Sequence, residues 1–146
     1  MAKFDAEGSP VWAREFGTLA RDWAHGVAVD RADGVYVAGM TGGALVGPGA
    51  GGYDAFVRKY DGAGTEIWTV QMGTAGDDGA AAIAVHGSGA LYVAGFVEGP
   101  LPGQTWNGSR DAFVARWSDA TAEITDCPRP PAARPTPPAR RPPRTP

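Results

Sequence analysis

The sequence contains an internal repeat of 56 residues. When residues 2–47 are laid over residues 58–103, 17 of the 46 positions are identical, whereas chance gives about 3 to 5 identities in so glycine- and alanine-rich a composition. Trp12 falls on Trp68, and the Tyr-Val-Ala-Gly of residues 36–39 recurs at 92–95. One inserted residue later, the Asp-Ala-Phe-Val of residues 54–57 recurs at 111–114. The chain therefore builds one structural unit repeatedly.

Each unit has the pattern of four short β-strands. The first complete unit has β-branched and apolar runs at 26–30, 35–40, 55–60 and 66–72, and the next has them at 82–86, 91–97 and 112–117. Glycine-containing turns at 31–34 and 61–64 join the first two pairs into hairpins. No window of 11 or more residues keeps the apolar spacing of a helix. These patterns predict an all-β chain.

The inner runs of the first unit, residues 27–29 and 35–39, are apolar at consecutive positions. A strand has this pattern when both faces of its sheet are covered, whereas a half-exposed strand alternates. Repeated four-stranded sheets of about 40 to 56 residues that cover one another are typical of β-propeller blades. We therefore predict antiparallel blades in which these inner runs, residues 27–29 and 35–39, are buried on both faces by neighbouring blades.

The same phrases carry a resemblance to a known family. The Asp-Ala-Phe-Val-Arg-Lys-Tyr-Asp of residues 54–61, Trp68 with the Gly-Thr of 73–74, and the Ala-Val of 84–85 followed by 92–95 resemble the bacterial SBBP β-propeller repeat over nearly all of residues 2–124. The resemblance implies a propeller fold and, for many relatives, a secreted or surface-exposed bacterial protein. It implies no defined activity, because functions are grafted onto this fold.

The strands amount to about two and a half blades. The chain begins inside a blade, with residues 3–5 ending a third strand and residues 11–16 forming a fourth, and its last blade has a weak fourth strand near Glu123 and Ile124. Closed propellers use about four to eight blades, so one copy cannot close a ring. Open ends expose blade faces and strand edges. Three outcomes stay open: self-association, completion by another chain, or a truncated product.

Composition divides the chain into two regions. Residues 1–126 are predicted to form the blades and hold 16 acidic and 8 basic residues, a net charge of −8. Residues 127–146 hold five arginines, no acidic residue and 9 of the 13 prolines, a composition that predicts a disordered tail with polyproline II character. A shifted reading frame after Ile124 and a genuine tail are both compatible with this composition.

Several classes of function are excluded by the same composition. The acidic body lacks the clustered basic surface that phosphate binding requires, so we expect no nucleic-acid partner. No run approaches the roughly 18 to 20 apolar residues that span a bilayer, and no signal peptide is visible. The single cysteine, Cys127, can form neither an intrachain disulfide nor a multi-cysteine zinc site. We also expect no cofactor.

Aspartates recur at fixed places in the repeat. Asp22 and Asp78 follow the Gly-Thr pair, and Asp54 and Asp111 precede Ala-Phe-Val. Because a residue present in every unit serves the unit, we interpret these four as structural residues that accept backbone hydrogen bonds at strand ends. Asp77 and Asp78 form the one adjacent acidic pair and are weak candidates for a metal site.

The tryptophans fall into two groups, those that recur in the repeat and those that do not. Trp12 and Trp68 occupy equivalent strand positions and are predicted to anchor the packing between blades. Trp23 and Trp106 have no repeat partner, so they are the better candidates for exposed aromatic contacts with a ligand.

The sequence favours a non-catalytic scaffold or protein-interaction module, because its nonrepeating polar residues do not form a recognisable catalytic set. Its variable loops, residues 42–53 and 98–110, occupy equivalent positions but differ in sequence. The alternative is a carbohydrate-binding or enzymatic propeller with a site on the channel rim. Its expected protein partners are further blades, a second copy or another chain.

Overall fold

The computed structural model describes residues 1–118 and 124–126, and this part of the chain contains ten β-strands and no helix. The strands are β1 (Ala2–Phe4), β2 (Pro10–Ala13), β3 (Asp22–Val29), β4 (Val35–Thr41), β5 (Asp54–Tyr60), β6 (Glu66–Met72), β7 (Gly79–Val85), β8 (Ala90–Val97), β9 (Asp111–Ser118) and β10 (Ile124–Asp126). The prediction of an all-β chain is confirmed.

The strands form two four-stranded sheets and one hairpin. We call β1–β2 the N-terminal hairpin, β3–β6 blade 1 and β7–β10 blade 2. Within each sheet, strands that follow one another along the chain are antiparallel neighbours. This is the meander of a propeller blade, and the architecture is that of a partial β-propeller.

Strand bounds match the sequence pattern best in the outer half of blade 1. β6 has the bounds that the pattern predicts, and β10 is short, as the weak end of the last repeat indicates. β3 begins at Asp22, four residues before the predicted start. Its pairing with β4 shifts register at a β-bulge between Ala24 and Gly26 and continues on both sides of the bulge. β7 begins early in the same way, with its bulge between Ala80 and Ala82. The apolar run begins only after the bulge, so the pattern missed the first residues.

Glycines opposite the bulges let two strands approach closely. A Cβ atom on Gly39 would lie 1.9 Å from the carbonyl oxygen of Trp23, and one on Gly95 would lie 2.0 Å from that of Gly79. A side chain at either position would displace backbone. The Tyr-Val-Ala-Gly phrase therefore ends in glycine for the same steric reason in both blades.

The hairpin turns use residues that tolerate a left-handed backbone. In the turn between β3 and β4, Asp33 has a φ of 69°, and in the turn between β5 and β6 Gly64 has a φ of 79°. Asp30 and Asp61 begin these two turns, and each accepts two backbone N–H groups within the turn. Both predicted turns are present, although in the first turn Asp33 and not Gly34 carries the positive φ.

Blade 2 lies against one face of blade 1, since β7 contacts β3, β4 and β5. We call this face of a blade, directed toward the C-terminal neighbour, the trailing face, and the opposite one the leading face. The main core lies between the trailing face of blade 1 and the leading face of blade 2, and it includes Tyr36, Val57, Leu91, Val93 and Trp117. A smaller core lies between the N-terminal hairpin and the leading face of blade 1.

The prediction that both inner runs are buried on both faces is wrong for residues 27–29 of β3. β4 is almost wholly buried, but Val27 and Val29 on β3 are 62% and 56% exposed. These two side chains point to the leading face, where they pair with Val37 and Val35. The N-terminal hairpin covers the outer half of that face, and among the described residues none covers the inner half.

The tail predicted to be disordered, residues 127–146, lies outside the described residues, as do residues 119–123. No helix in the described part of the chain has the length and apolar character needed to cross a membrane.

Candidate protein-interaction surface

The trailing face of blade 2 repeats a buried surface of blade 1. Tyr92 and Val114 are the repeat counterparts of Tyr36 and Val57, and they lie on the same face of their sheet. Tyr36 and Val57 are 0% and 2% exposed, whereas Tyr92 and Val114 are 43% and 55% exposed. The difference arises from the neighbouring blade, because blade 2 covers the first pair and nothing described covers the second.

The residues of blade 2 that pack on the trailing face of blade 1 show which side chains such a face can bind. Blade 2 presents Leu91 and Val93 from β8 with Phe113 and Trp117 from β9, and all four are buried against blade 1. Burial of apolar area is the dominant favourable contribution to such a contact, at about 25 cal/mol per Å². A trailing face therefore has the shape and chemistry to receive the leading face of another blade.

The leading face of blade 1 is covered only at its outer half. Phe16 contacts Phe56 edge-on with ring centroids 5.6 Å apart, and Trp12 lies 6.1 Å from the ring of Tyr60. The inner half holds the exposed Val27 and Val29. The described part of the chain thus presents an apolar strip on the leading face of blade 1 and another on the trailing face of blade 2.

Trp12 and Trp68, the tryptophans with a repeat partner, both lie between neighbouring units. Trp12 is buried in the core beside the N-terminal hairpin, and its indole N–H donates to the Gly62 carbonyl at 3.0 Å. Trp68 packs against the main core, with its ring centroid 6.0 Å from that of Tyr36. Its indole nitrogen is buried and has no hydrogen-bond partner among the described residues.

Asp22 and Asp78 accept hydrogen bonds from the Gly-Thr segment before each inner strand. The N–H of Thr18 donates to Asp22 at 2.6 Å, and the hydroxyl of Thr41 donates to the same side chain. Asp78 is fully buried and accepts the N–H of Thr74 and, at 3.1 Å, that of Glu98. Asp22 thus joins the start of the inner strand to the last residue of the second strand, and Asp78 joins it to the first residue of the loop that follows.

Asp54 and Asp111 accept a backbone N–H from the loop that precedes each third strand. The donors are the N–H groups of Ala50, at 2.9 Å, and Asn107, at 2.8 Å. Asp77 accepts the N–H of Tyr53 at 3.0 Å. Within the described residues, no three His, Cys, Asp or Glu side chains are grouped so as to hold a metal ion.

Trp23 and Trp106, the tryptophans without a repeat partner, are both exposed. Trp23 lies at the start of β3, with its ring centroid 5.2 Å from that of Tyr53. Trp106 lines a cavity of about 240 Å³ between the loop after β8 and strand β9. The two side chains belong to different blades and different cavities, so the structure does not bring them into one site.

Two turn aspartates have lowered pKa values. Burial acts to raise the pKa of Asp30, but hydrogen bonds from the Gly34 N–H, the Tyr36 hydroxyl and the Ala32 N–H, with the charge of Lys59, lower it below its ordinary value of 3.8. The backbone N–H of Thr65 is the main cause of the lowered pKa of Asp61. Both groups stabilise hairpin turns, so these shifts indicate local structure and not acid–base chemistry.

Sequence reasoning missed Gln71. Its side-chain amide makes four hydrogen bonds: the oxygen accepts from the N–H groups of Leu45 and Val46, and the nitrogen donates to the Gly43 carbonyl and to Asp54. Gln71 thereby joins the outer strand of blade 1 to its variable loop. The repeat alignment could not single it out, because its counterpart in the preceding unit is Glu15 and the two residues are not identical.

This arrangement, antiparallel four-stranded blades stacked through apolar faces, defines a β-propeller-repeat protein. Residues 11–45 match the family model described as the SBBP beta-propeller repeat. Residues 11–45 therefore carry the repeat of this family, and the resemblance read from the sequence is confirmed at these residues.

The comparison with curated proteins found the regulatory protein FlaEY of Caulobacter vibrioides. It is 32% identical over 130 residues, a match that includes 81% of this chain and 14% of FlaEY. The chain thus spans about one seventh of the length of this relative.

Proposed function

We propose that the chain is a non-catalytic propeller-repeat module that binds protein through the blade faces its own repeats leave uncovered. The observation that carries the proposal is the exposure of Tyr92 and Val114, whose counterparts Tyr36 and Val57 are buried by the next blade. An exposed apolar face of this kind is a site for association. The regulatory role named for FlaEY fits a module that acts by binding.

The partner we propose is a second copy of the chain, joined head to tail. The buried interface shows that a trailing face receives apolar side chains from strands 1 to 3 of a following blade, among them Ile83 and Val85 on the inner strand. Val27 and Val29 are the counterparts of Ile83 and Val85 and are exposed. One chain therefore carries an uncovered trailing face and the inner strip of a leading face, which are complementary parts of a heterologous interface, the type that generates rings or filaments.

Two charged variants test this assignment. Val114→Arg damages the trailing face and Val27→Arg the leading strip, so each variant alone is expected to sediment at the monomer mass. An equimolar mixture is expected to form a 1:1 dimer, because each variant keeps one intact half. Val46→Arg is the matched control, since Val46 is 50% exposed but lies in the loop between β4 and β5.

Different outcomes would overturn different parts of the proposal. If Val27→Arg still associates and Val114→Arg does not, the contact joins two trailing faces and the head-to-tail arrangement is wrong. If neither substitution changes the mass of an associating chain, these faces are not the interface.

A further inference from the structure

Asn107 is the single asparagine of the chain, and a glycine follows it. It is exposed and lies in the loop between β8 and β9. Asparagine is a labile residue, because the backbone nitrogen of the next residue can attack its side-chain carbonyl carbon. The attack requires the backbone to turn, and a following glycine has no Cβ to obstruct that turn. Residues 107 and 108 therefore form the pair in this chain that is chemically most open to loss of a side-chain amide.

The structure leaves the attacking group of this pair unrestrained. Within the described part of the chain, the N–H of Gly108 makes no hydrogen bond. Gly108 has a φ of 91°, and a Cβ built on it would meet no atom within 4 Å. The side-chain amide of Asn107 donates to the Asp111 carboxylate at 3.4 Å, a long bond. The side-chain carbon can therefore approach the Gly108 nitrogen at the cost of one weak interaction.

Blade 1 has the same loop end without the reactive side chain. Ala50 is the repeat counterpart of Asn107, and a glycine follows both residues. The N–H of Ala50 donates to Asp54 at 2.9 Å, and the N–H of Asn107 donates to Asp111 at 2.8 Å. The backbone bond thus needs no asparagine side chain. An alanine at position 107 is therefore a matched control that keeps the bond and removes the amide.

We infer that Asn107 is a site of spontaneous deamidation, and that the carboxylate formed there is repelled by Asp111 and loosens the loop between β8 and β9. The Gly108 nitrogen bonds to Cγ of Asn107 and gives up its proton, and the side-chain nitrogen leaves with that proton as ammonia. The product is a succinimide ring. Water then opens the ring at either carbonyl carbon and gives aspartate or isoaspartate. One water is consumed and one ammonia is released, with no oxidation or reduction.

The product changes the charge beside Asp111. The side-chain donor that lies 3.4 Å from the Asp111 oxygen is replaced by a carboxylate, which has no hydrogen to donate and carries a negative charge. Two carboxylates this close repel each other. The isoaspartate product also lengthens the main chain by one carbon. Both products therefore weaken the bond from the residue 107 N–H to Asp111, which holds the end of the loop.

Intact-mass spectrometry of the full chain, incubated at mildly alkaline pH, tests the modification. Because the chain has one asparagine, we expect a single step in mass, equal to the exchange of NH₂ for OH, with one equivalent of ammonia released. Asn107→Ala is expected to show no step. In Gly108→Ala the step is expected to form at least severalfold more slowly, because the added Cβ restricts the turn of the backbone.

The effect on the loop is tested with Asn107→Asp, which supplies the aspartate product directly. Hydrogen exchange at the residue 107 N–H, measured by NMR, is expected to be at least severalfold faster in Asn107→Asp than in Asn107→Ala. The two variants lack the same amide, and only the first places a second carboxylate beside Asp111.

A wild-type mass that does not change, a step that persists in Asn107→Ala, or equal exchange rates in the two variants would each overturn the inference. Neither readout depends on association between chains, so the inference and the proposed function can fail separately.

Discussion

The trailing faces of the two blades share a tyrosine and a valine at equivalent positions but have different surroundings. Tyr36 and Val57 of blade 1 are buried by blade 2, while Tyr92 and Val114 of blade 2 are exposed. Local sequence, strand pairing and side-chain direction are alike in both. The comparison shows that a blade determines its own sheet but not its own burial, which depends on the next blade.

The largest effect is expected from removing the buried tyrosine. Tyr36→Ala should lower the free energy of unfolding by about 3–5 kcal/mol, the range for deleting a large buried aromatic side chain. Tyr92→Ala at the equivalent exposed position should cost less than about 1 kcal/mol at concentrations where the chain is monomeric. Urea denaturation of both variants measures the difference. Equal losses would mean that the two faces are covered alike.

Substitution of the glycines opposite the bulges should destabilise the two blades equally, in contrast to substitution of the two tyrosines. Gly39→Ala and Gly95→Ala both place a Cβ within about 2 Å of a backbone carbonyl oxygen of the same sheet. Overpacking of this kind costs about 1–3 kcal/mol, and we expect similar losses from both because the clash lies inside each blade. A loss confined to Gly39→Ala would show that blade 2 lacks the bulge geometry. Thermal melts suffice for this comparison.

Replacement of Trp12 and of Trp68, the tryptophans that recur in the repeat, should differ in stability by the contribution of one hydrogen bond. Trp12→Phe removes the indole donor to the Gly62 carbonyl, whereas Trp68→Phe removes a buried nitrogen that has no partner among the described residues. With similar loss of volume, Trp12→Phe is expected to be the more destabilising by about 1 kcal/mol. Chemical denaturation of the two variants in parallel tests the order, and the reverse order would contradict it.

The smallest effect concerns the first turn of blade 1, where blade 2 has His86 in place of Asp30. Because the pKa of Asp30 is lowered below 3.8 in the fold, its stabilising contribution is present above pH 3.8 and is lost as the pH falls through the lowered value. Asp30→Asn should therefore destabilise the chain at pH 6, and the difference from the wild type should shrink as the pH is lowered below 3.8. Denaturation across this pH range measures the difference, and a difference that does not shrink would exclude titration of Asp30 as its origin.

Sequence alone predicted the features that lie within one repeat. The strands, the weak last strand and the family resemblance follow from Tyr-Val-Ala-Gly, Asp-Ala-Phe-Val and the paired tryptophans, because these features repeat with fixed spacing. The early starts of β3 and β7 were missed because bulge residues such as His25 carry no apolar period.

Features between repeats were harder to predict. Val27 and Val29 have the pattern of a strand covered on both faces, yet their exposure depends on whether a neighbouring inner strand is present. Gln71 escaped detection because its importance lies in contacts with a loop 26 to 28 residues earlier. Periodicity reports which face a side chain occupies and not what lies opposite that face.

The central claim is tested most directly by the light-scattering mass of the full chain as a function of concentration. We expect a mass that rises above the 15.1 kDa of one chain as concentration increases, and we expect the Val114→Arg variant to stay at that value. A folded wild-type chain that stays at 15.1 kDa throughout and unfolds cooperatively would contradict the claim that the uncovered faces bind protein.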